Sequence, residues 1–243
     1  MARLSVNVNK VATLRNSRGG RQPSVVDAVR VCVLAGAHGI TVHPRSDERH
    51  ITADDVVAIA TLLRRHPSVE FNIEGDPRPD LISLVETVRP HQCTLVPVVP
   101  GEITSQAGWR PGPQTEQLTG AVARLKAAAV RVSLFVDPDA EPVRFAAAAG
   151  ADRVELYTEP FARAFERGPE DAVASFRRYE AAAELAHHLG LGINAGHDLD
   201  LDNLRQFREL PHLDEVSIGH ALISEALFHG LDSVVREYLA ILL

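Results

Sequence analysis

Along the chain, short runs in which apolar and polar residues alternate are each followed by a longer run of helical period. The pattern repeats eight times, at about 30 residues per unit. The alternating runs cover residues 4–9, 39–44, 69–74, 92–97, 131–137, 153–158, 191–196 and 215–220. The helical ones cover 25–35, 52–66, 79–88, 115–129, 140–149, 171–189, 201–207 and 222–242. Eight strand-helix units with no linker between them predict an α/β fold, a single-domain (β/α)8 TIM barrel over residues 1–243. A doubly wound open sheet would call for a Gly-x-Gly-x-x-Gly turn after the first strand, and that turn is absent. Glycines before strands two, six and seven (Gly36, Gly150, Gly190) stand where a helix must turn left-handed into the next strand. Thr52, followed by Asp54 and Asp55, reads as a helix start.

Two connections are too long to be simple turns. Residues 98–114 after strand four are rich in Gly and Pro and predict a long lid loop. Residues 159–168 after strand six, with Phe161 and Phe165 at helical spacing, predict a short extra helix. Both fall at the C-terminal face of the barrel, where such folds carry their chemistry.

Strand alternation sorts the side chains into an outward and an inward set. Strand one opposes Leu4, Val6 and Val8 to Ser5, Asn7 and Asn9; strand two opposes Ile40 and Val42 to Thr41, His43 and Arg45; strand three opposes Val69, Phe71 and Ile73 to Glu70, Asn72 and Glu74. Inward polar faces on successive strands require partners or ligands, because unpaired buried polar groups are costly. His43 and Arg45, two apart at the end of strand two, can share one pocket as a proton-exchanging group and an anion grip. Glu70 opens strand three, so burial is expected to raise its pKa and suit it to acid-base work, the alternative being an ion pair with an interior arginine. Gly196-His197 and Gly219-His220 close strands seven and eight, the recurrent phosphate-binding corner of this fold.

Composition narrows the partners. The 243 residues are 45% hydrophobic and 23% charged with a formal net charge of −7, and the scattered charges form no basic stripe for nucleic acid. No window approaches the roughly 18 apolar residues of a membrane span. The N-terminal stretch lacks an apolar leader core, which predicts a soluble cytoplasmic protein. Cys32 and Cys93 lie in apolar runs and make neither a disulfide framework nor a zinc set. A metal site of the amidohydrolase kind would want His-x-His on strand one, where Asn7 and Asn9 stand instead, so no metal is expected. Lys10 and Lys126 are the only lysines, which disfavours Schiff-base chemistry through an interior lysine.

Five segments together, VNVNKVATLRNSRG (6–19), GITVHPRSDERHIT (39–52), VSLFVD (132–137), NAGH (194–197) and SIGHA (217–221), resemble the pyridoxine 5′-phosphate synthase family over nearly the whole chain. The resemblance implies condensation of 3-amino-2-oxopropyl phosphate with 1-deoxy-D-xylulose 5-phosphate to pyridoxine 5′-phosphate, phosphate and water, with no cofactor. It implies His43 and Glu70 as proton acceptors and His197 as proton donor. Asn7 and Arg18 would hold the amino ketone phosphate, Arg45, His50 and Thr104 the deoxyxylulose phosphate, and Gly219 with His220 a phosphate. A homo-octamer is implied as well. The chain departs from the family pattern at Asn9-Lys10, where Asp-His is usual, and at Asp198, where glycine is common. Asn9, Lys10 and Asp198 are expected to be substrate-binding positions, with the Asp198 carboxylate repelling phosphate unless only its backbone faces the ligand. A non-catalytic phosphometabolite binder and another phosphosugar barrel enzyme are the alternative readings.

Overall fold

The alternating runs become, in the computed structural model, a closed barrel of eight parallel strands paired in chain order, β1 to β8. Residues 1–98 and 107–243 are described. The strands are β1 (Arg3–Asn7), β2 (Gly39–Val42), β3 (Glu70–Gly75), β4 (Gln92–Leu95), β5 (Arg131–Val136), β6 (Arg153–Tyr157), β7 (Gly192–Gly196) and β8 (Leu213–Ile218). Around them run α1 (Asn9–Asn16), α2 (Val25–Ala35), α3 (Ala53–Leu63), α4 (Pro79–Val88), α5 (Thr115–Ala127), α6 (Ala140–Ala148), α7 (Glu159–Arg167), α8 (Pro169–His188), α9 (Leu204–Phe207), α10 (His220–His229) and α11 (Leu231–Leu242).

Outward strand residues such as Leu4, Val6, Ile40, Val42, Ile73, Leu134, Leu156, Ile193 and Val216 are fully buried beneath the helices and supply the apolar core. The inward face is polar on all eight strands, not only on the three singled out from the sequence. Ser5, Thr41, Asn72, Gln92, Thr94, Ser133, Glu155, Asn194 and Glu215 are all buried inside the barrel. Many of them bond to one another or to neighbouring side chains: Ser5 and Thr41 hydroxyls meet at 2.7 Å, Thr94 Oγ1 donates to Asn72 Oδ1 at 3.2 Å, and Arg153 Nη1 donates to Asn194 Oδ1 at 2.8 Å, whereas Ser133 Oγ and Gln92 Nε2 are buried with no partner among the described residues.

The expected glycine caps hold, with Gly36, Gly150 and Gly190 at φ of 106°, 82° and 78°. Thr52 caps α3 in a reciprocal capping box with Asp55. The extra helix after strand six is α7. Three expectations change. Residues 9–16, read as the end of a strand and a loop, form α1, which turns the chain across the barrel mouth. The single helix expected at 222–242 is two, α10 and α11, broken at Gly230 with φ 85°. Strands two and eight end earlier than expected, so His43 and His220 leave the ladder. Of the expected lid, residues 99–106 lie outside the described residues. Its returning limb is tied down by Trp109, whose Nε1 donates to Leu95 O at 2.9 Å, and by Arg110, whose Nη2 donates to Asp137 Oδ2 at 2.6 Å.

Candidate active site

The C-terminal ends of β1, β2, β3 and β8 converge on one corner of the mouth. Asn7, the last residue of β1, donates from Nδ2 to Glu74 Oε2 at 3.5 Å and accepts the Asn9 backbone N–H on Oδ1 at 3.0 Å. Asn9 Oδ1 in turn accepts the His43 backbone N–H at 2.9 Å, so Asn9 fixes the end of β2 through a single acceptor oxygen. A carboxylate oxygen could accept the same bond. Gly219 closes it from β8. A Cβ there would stand 3.0 Å from Asn7 Cβ and 3.2 Å from Asn7 O, so any side chain would press Asn7 aside by a few tenths of an ångström.

His43 Nδ1 lies 4.0 Å from Glu74 Oε2, and both side chains are nearly excluded from solvent. Burial, reinforced by His50, Arg45 and Arg78, pushes the His43 pKa down to about 3. Burial, reinforced by Glu155 and Glu215, pushes the Glu74 carboxyl well above the usual carboxylate range. Burial thus disfavours the charged form of both partners, the imidazolium of His43 and the carboxylate of Glu74. His43 Nε2 is buried with no hydrogen-bond partner among the described residues, an orphan atom of the kind a bound substrate satisfies.

His50 faces His43 edge-on, with ring centroids 6.0 Å apart. Its Nδ1 accepts the Ile51 backbone N–H at 3.0 Å, which leaves the ring proton on Nε2. Burial, together with Arg45, Lys10 and Arg49, holds its pKa down to about 4, so it presents a neutral N–H donor. The loop carrying Arg45 and His50 is braced by α1. Arg15 makes a two-pronged bond to Asp55 at 2.5 and 2.9 Å, and Asn16 Nδ2 donates to His50 O at 2.8 Å. Arg45 is buried beside His43, and Arg78 Nη2 donates to Pro44 O at 2.5 Å. Sequence reasoning passed over Arg15, Asn16 and Arg78; their only signal was their place in segments flanking the strand ends.

On the opposite wall, His197 follows β7. Its ring packs against Tyr157 at 5.5 Å and Phe135 at 6.3 Å, and its Nδ1 lies 3.0 Å from Asp198 Oδ2. His220 opens α10, and its charge is felt at Asp198. Beneath both walls sits Glu155, which burial and Glu215 push up to about 8. Gly196 leaves room for it, since a Cβ there would come within 2.5 Å of Glu155 Oε1. Lys10 and Arg18 are exposed, Lys10 in the first turn of α1 and Arg18 just beyond its end. Thr104 lies outside the described residues.

Glu70 is the correction. It opens β3 at the opposite end of the barrel, where Arg3 Nη1 and Arg131 Nη2 each donate to it at 2.6 Å. Burial alone would raise its carboxyl, but the Arg131 hydrogen bond and the Arg131 and Arg3 charges outweigh it and bring the pKa below the ordinary value. The raised carboxyl beside His43 is Glu74, four residues on and on the same inward face. The signal was available, since chemistry in this fold gathers at the C-terminal strand ends.

Relatives place this geometry. The profile of the family described as pyridoxal phosphate biosynthesis protein PdxJ matches residues 4–243. A pyridoxine 5′-phosphate synthase from Bacteroides fragilis is 55% identical over 239 residues, covering 98% of either chain, and one from Christiangramia forsetii is 51% identical over 243 residues, covering 100% of both. Among solved structures, phosphoribosyl anthranilate isomerase from Thermotoga maritima aligns with a TM-score of 0.64 at 12% identity, covering 100% of this chain and 98% of its own, a likeness of fold alone. With its profile matched from the first strand through the last helix and its barrel closed around a polar interior, the chain belongs to the PdxJ family of pyridoxal phosphate biosynthesis proteins.

Proposed function

We propose that the chain is a pyridoxine 5′-phosphate synthase that joins 3-amino-2-oxopropyl phosphate to 1-deoxy-D-xylulose 5-phosphate, releasing phosphate and water. Identity of more than half over 98% of the chain to a protein of that name carries the reading. The geometry supports it, because the reaction needs several proton-transfer groups and two anion grips in one mouth. The amine must add to a ketone and lose water, protons must leave carbon, a phosphate must depart, and a carbon-carbon bond must close the ring.

In this proposal His43, neutral near pH 7, accepts a proton on its unpartnered Nε2. Glu74 takes the second acid-base role that the sequence suggested for Glu70. Burial disfavours its charged form, and an arriving ammonium group would supply the positive charge that favours ionisation. His197 donates a proton to a departing oxygen. Asn7 and Arg18 hold the amino ketone phosphate, with Gly219 and His220 presenting the start of α10 to a phosphate. Arg45, the neutral N–H of His50, Lys10 and Thr104 hold the deoxyxylulose phosphate. Lys10 fits that side because its charge already acts on His50.

The homo-octamer and the cytoplasmic setting belong to the same proposal. Leu227 and Phe228 on α10, 66% and 83% exposed, offer apolar surface for assembly. Among the described residues, no helix is long and apolar enough to cross a membrane.

The test mixes purified protein with both phosphates and follows pyridoxine 5′-phosphate by its ultraviolet absorbance alongside released phosphate. Stoichiometric formation of both, lost in His43→Ala, is expected. Binding of both phosphates without product would overturn the synthase assignment.

A further inference from the structure

Two consecutive residues after β7 occupy backbone conformations that side-chain-bearing residues rarely adopt, His197 at φ 91° and Asp198 at φ 56°. The surroundings hold both in place. The Thr158 hydroxyl sits on the carbonyl oxygens of Gly196 and His197. Asn203 Nδ2 donates to Asp198 O at 3.1 Å, and Asn203 is itself locked by Asp200, whose Oδ1 accepts its backbone N–H at 2.8 Å. Adjacent residues seldom face one another. Here the paired left-handed turn swings the Asp198 carboxylate back onto its neighbour's ring, with Oδ2 at 3.0 Å from His197 Nδ1. The carboxylate is thus engaged with the His197 ring.

We infer that Asp198 is a positioning residue for His197: its carboxylate holds the ring proton on Nδ1 and so reserves Nε2 for proton exchange with substrate. The inference rests on the synthase reading for what His197 does, and on geometry for how it is held. The hydrogen bond from His197 is the main reason the Asp198 carboxyl sits below its ordinary pKa, so it is ionised near neutrality and can only accept. Arg163 on α7 and His220 on α10 act on it in the same direction. Tyr157 on β6, which burial and then Glu159 push up to about 12, stays a neutral wall of the ring, and Glu159 of α7 and Asp137 beyond β5 are further charged groups nearby. With Nδ1 so engaged, a ring that takes a proton at Nε2 returns it from the same atom without turning over. The imidazolium formed in between is flanked by a carboxylate.

Asp198→Gly is the clean perturbation, because glycine suits a φ of 56° and only the carboxylate is lost. Asp198→Asn keeps an acceptor oxygen on a residue that tolerates the same backbone and removes the charge. Histidine-labelled protein without substrates, with His197→Gln to assign the signal, reports the tautomer by nitrogen-15 chemical shift. The wild type is expected to carry its neutral-ring proton on Nδ1, Asp198→Asn to keep that preference, and Asp198→Gly to lose it. In turnover, Asp198→Gly should lower kcat by about 10- to 100-fold with both KM values within about twofold, a loss on the scale of general acid-base catalysis. The same tautomer in wild type and Asp198→Gly would overturn the inference, as would a rise in one KM at unchanged kcat, which would mean that the carboxylate touches substrate. Failure of the synthase reading would show separately, as wild-type protein that makes no product while the tautomer comparison still stands.

Discussion

Glu70 and Glu74 share a strand, a face and a side-chain type, yet Glu70→Gln and Glu74→Gln are expected to fail in opposite ways. At about 3.3 Å of rise per residue their backbones are about 13 Å apart. Glu70 bridges Arg131, whose side chain is 27% exposed, and Arg3, which is 36% exposed. The Arg3 half is screened enough to contribute about 0–1 kcal/mol, whereas the more enclosed Arg131 bond contributes about 1.5–3 kcal/mol. A glutamine keeps one acceptor oxygen, so the net loss should be about 2 kcal/mol, or about 4–8 °C in Tm for a domain of this size. Turnover should stay within about twofold. The carboxyl's pKa is depressed in the fold, so its stabilisation is present above the unfolded-state value of about 4.3 and disappears as pH falls through the folded value. The gap between wild type and Glu70→Gln should therefore close in acid. Glu74→Gln puts a neutral isostere where burial disfavours a charge, so Tm should move by less than about 2 °C, but the side chain can no longer accept a proton and kcat should fall about 10²- to 10⁴-fold. Thermal and urea unfolding at several pH values, run beside the turnover assay, separate the two. A Glu70→Gln enzyme of wild-type Tm with turnover down a hundredfold, or a fully active Glu74→Gln enzyme, would refute the assignment of the two ends.

Glu215 and Glu155 are pushed up to about 7 and about 8, chiefly by burial. Their favoured form in the fold is protonated, so stability should be fully present below about pH 4.3 and decline as pH rises through 7 and 8. Urea midpoints between pH 5.5 and 9 should show this decline, and Glu215→Gln should flatten it around neutrality. Gly219→Ala would press a methyl to within 3.0 Å of Asn7 Cβ, and about a tenfold rise in KM for the amino ketone phosphate is expected with the fold intact. An unchanged KM would argue that β8 does not shape that subsite. Lys10→Ala should raise KM for the deoxyxylulose phosphate severalfold, more at low salt than at high, since an exposed cation acts through a screened field. Unchanged Michaelis constants and turnover would remove Lys10 from the site.

The barrel was legible because each strand carries its own alternation and most helices announce their ends. Helices α2 and α4 run over the residues expected, the first closed by Gly36 and the second opened by Pro79. Helix α1 was hidden because it buries only Val11 and Ala12 and has no side-chain cap at its start, so its helical period is faint. The break between α10 and α11 was hidden for another reason, since a lone glycine inside an apolar period reads as tolerated until its φ is known. In the site, periodicity identified the inward residues without ordering them by depth. It separated Glu70 and Glu74 from their outward neighbours but not from each other, and the choice between them was decided by Arg3 and Arg131, which are 67 and 61 residues away in sequence. The Asp198 contact with His197 could not be read at all, because it depends on two backbone angles that no composition rule prescribes.

The closeness of Gly219 to Asn7 also bears on synthesis. Strand β1 pairs with β2 on one side and β8 on the other, so a nascent chain with seven strands made leaves both β1 and β7 open along an edge. Until Leu213–Ile218 emerges from the ribosome and closes the ring, Asn7 has no β8 neighbour and the corner proposed for phosphate cannot form. Ligand affinity and protection from edge-to-edge association would therefore arrive together, once β8 has joined β1 and β7. Phosphorylated substrate can stabilise only the finished barrel, so in a cell its concentration would favour completed chains over stalled ones.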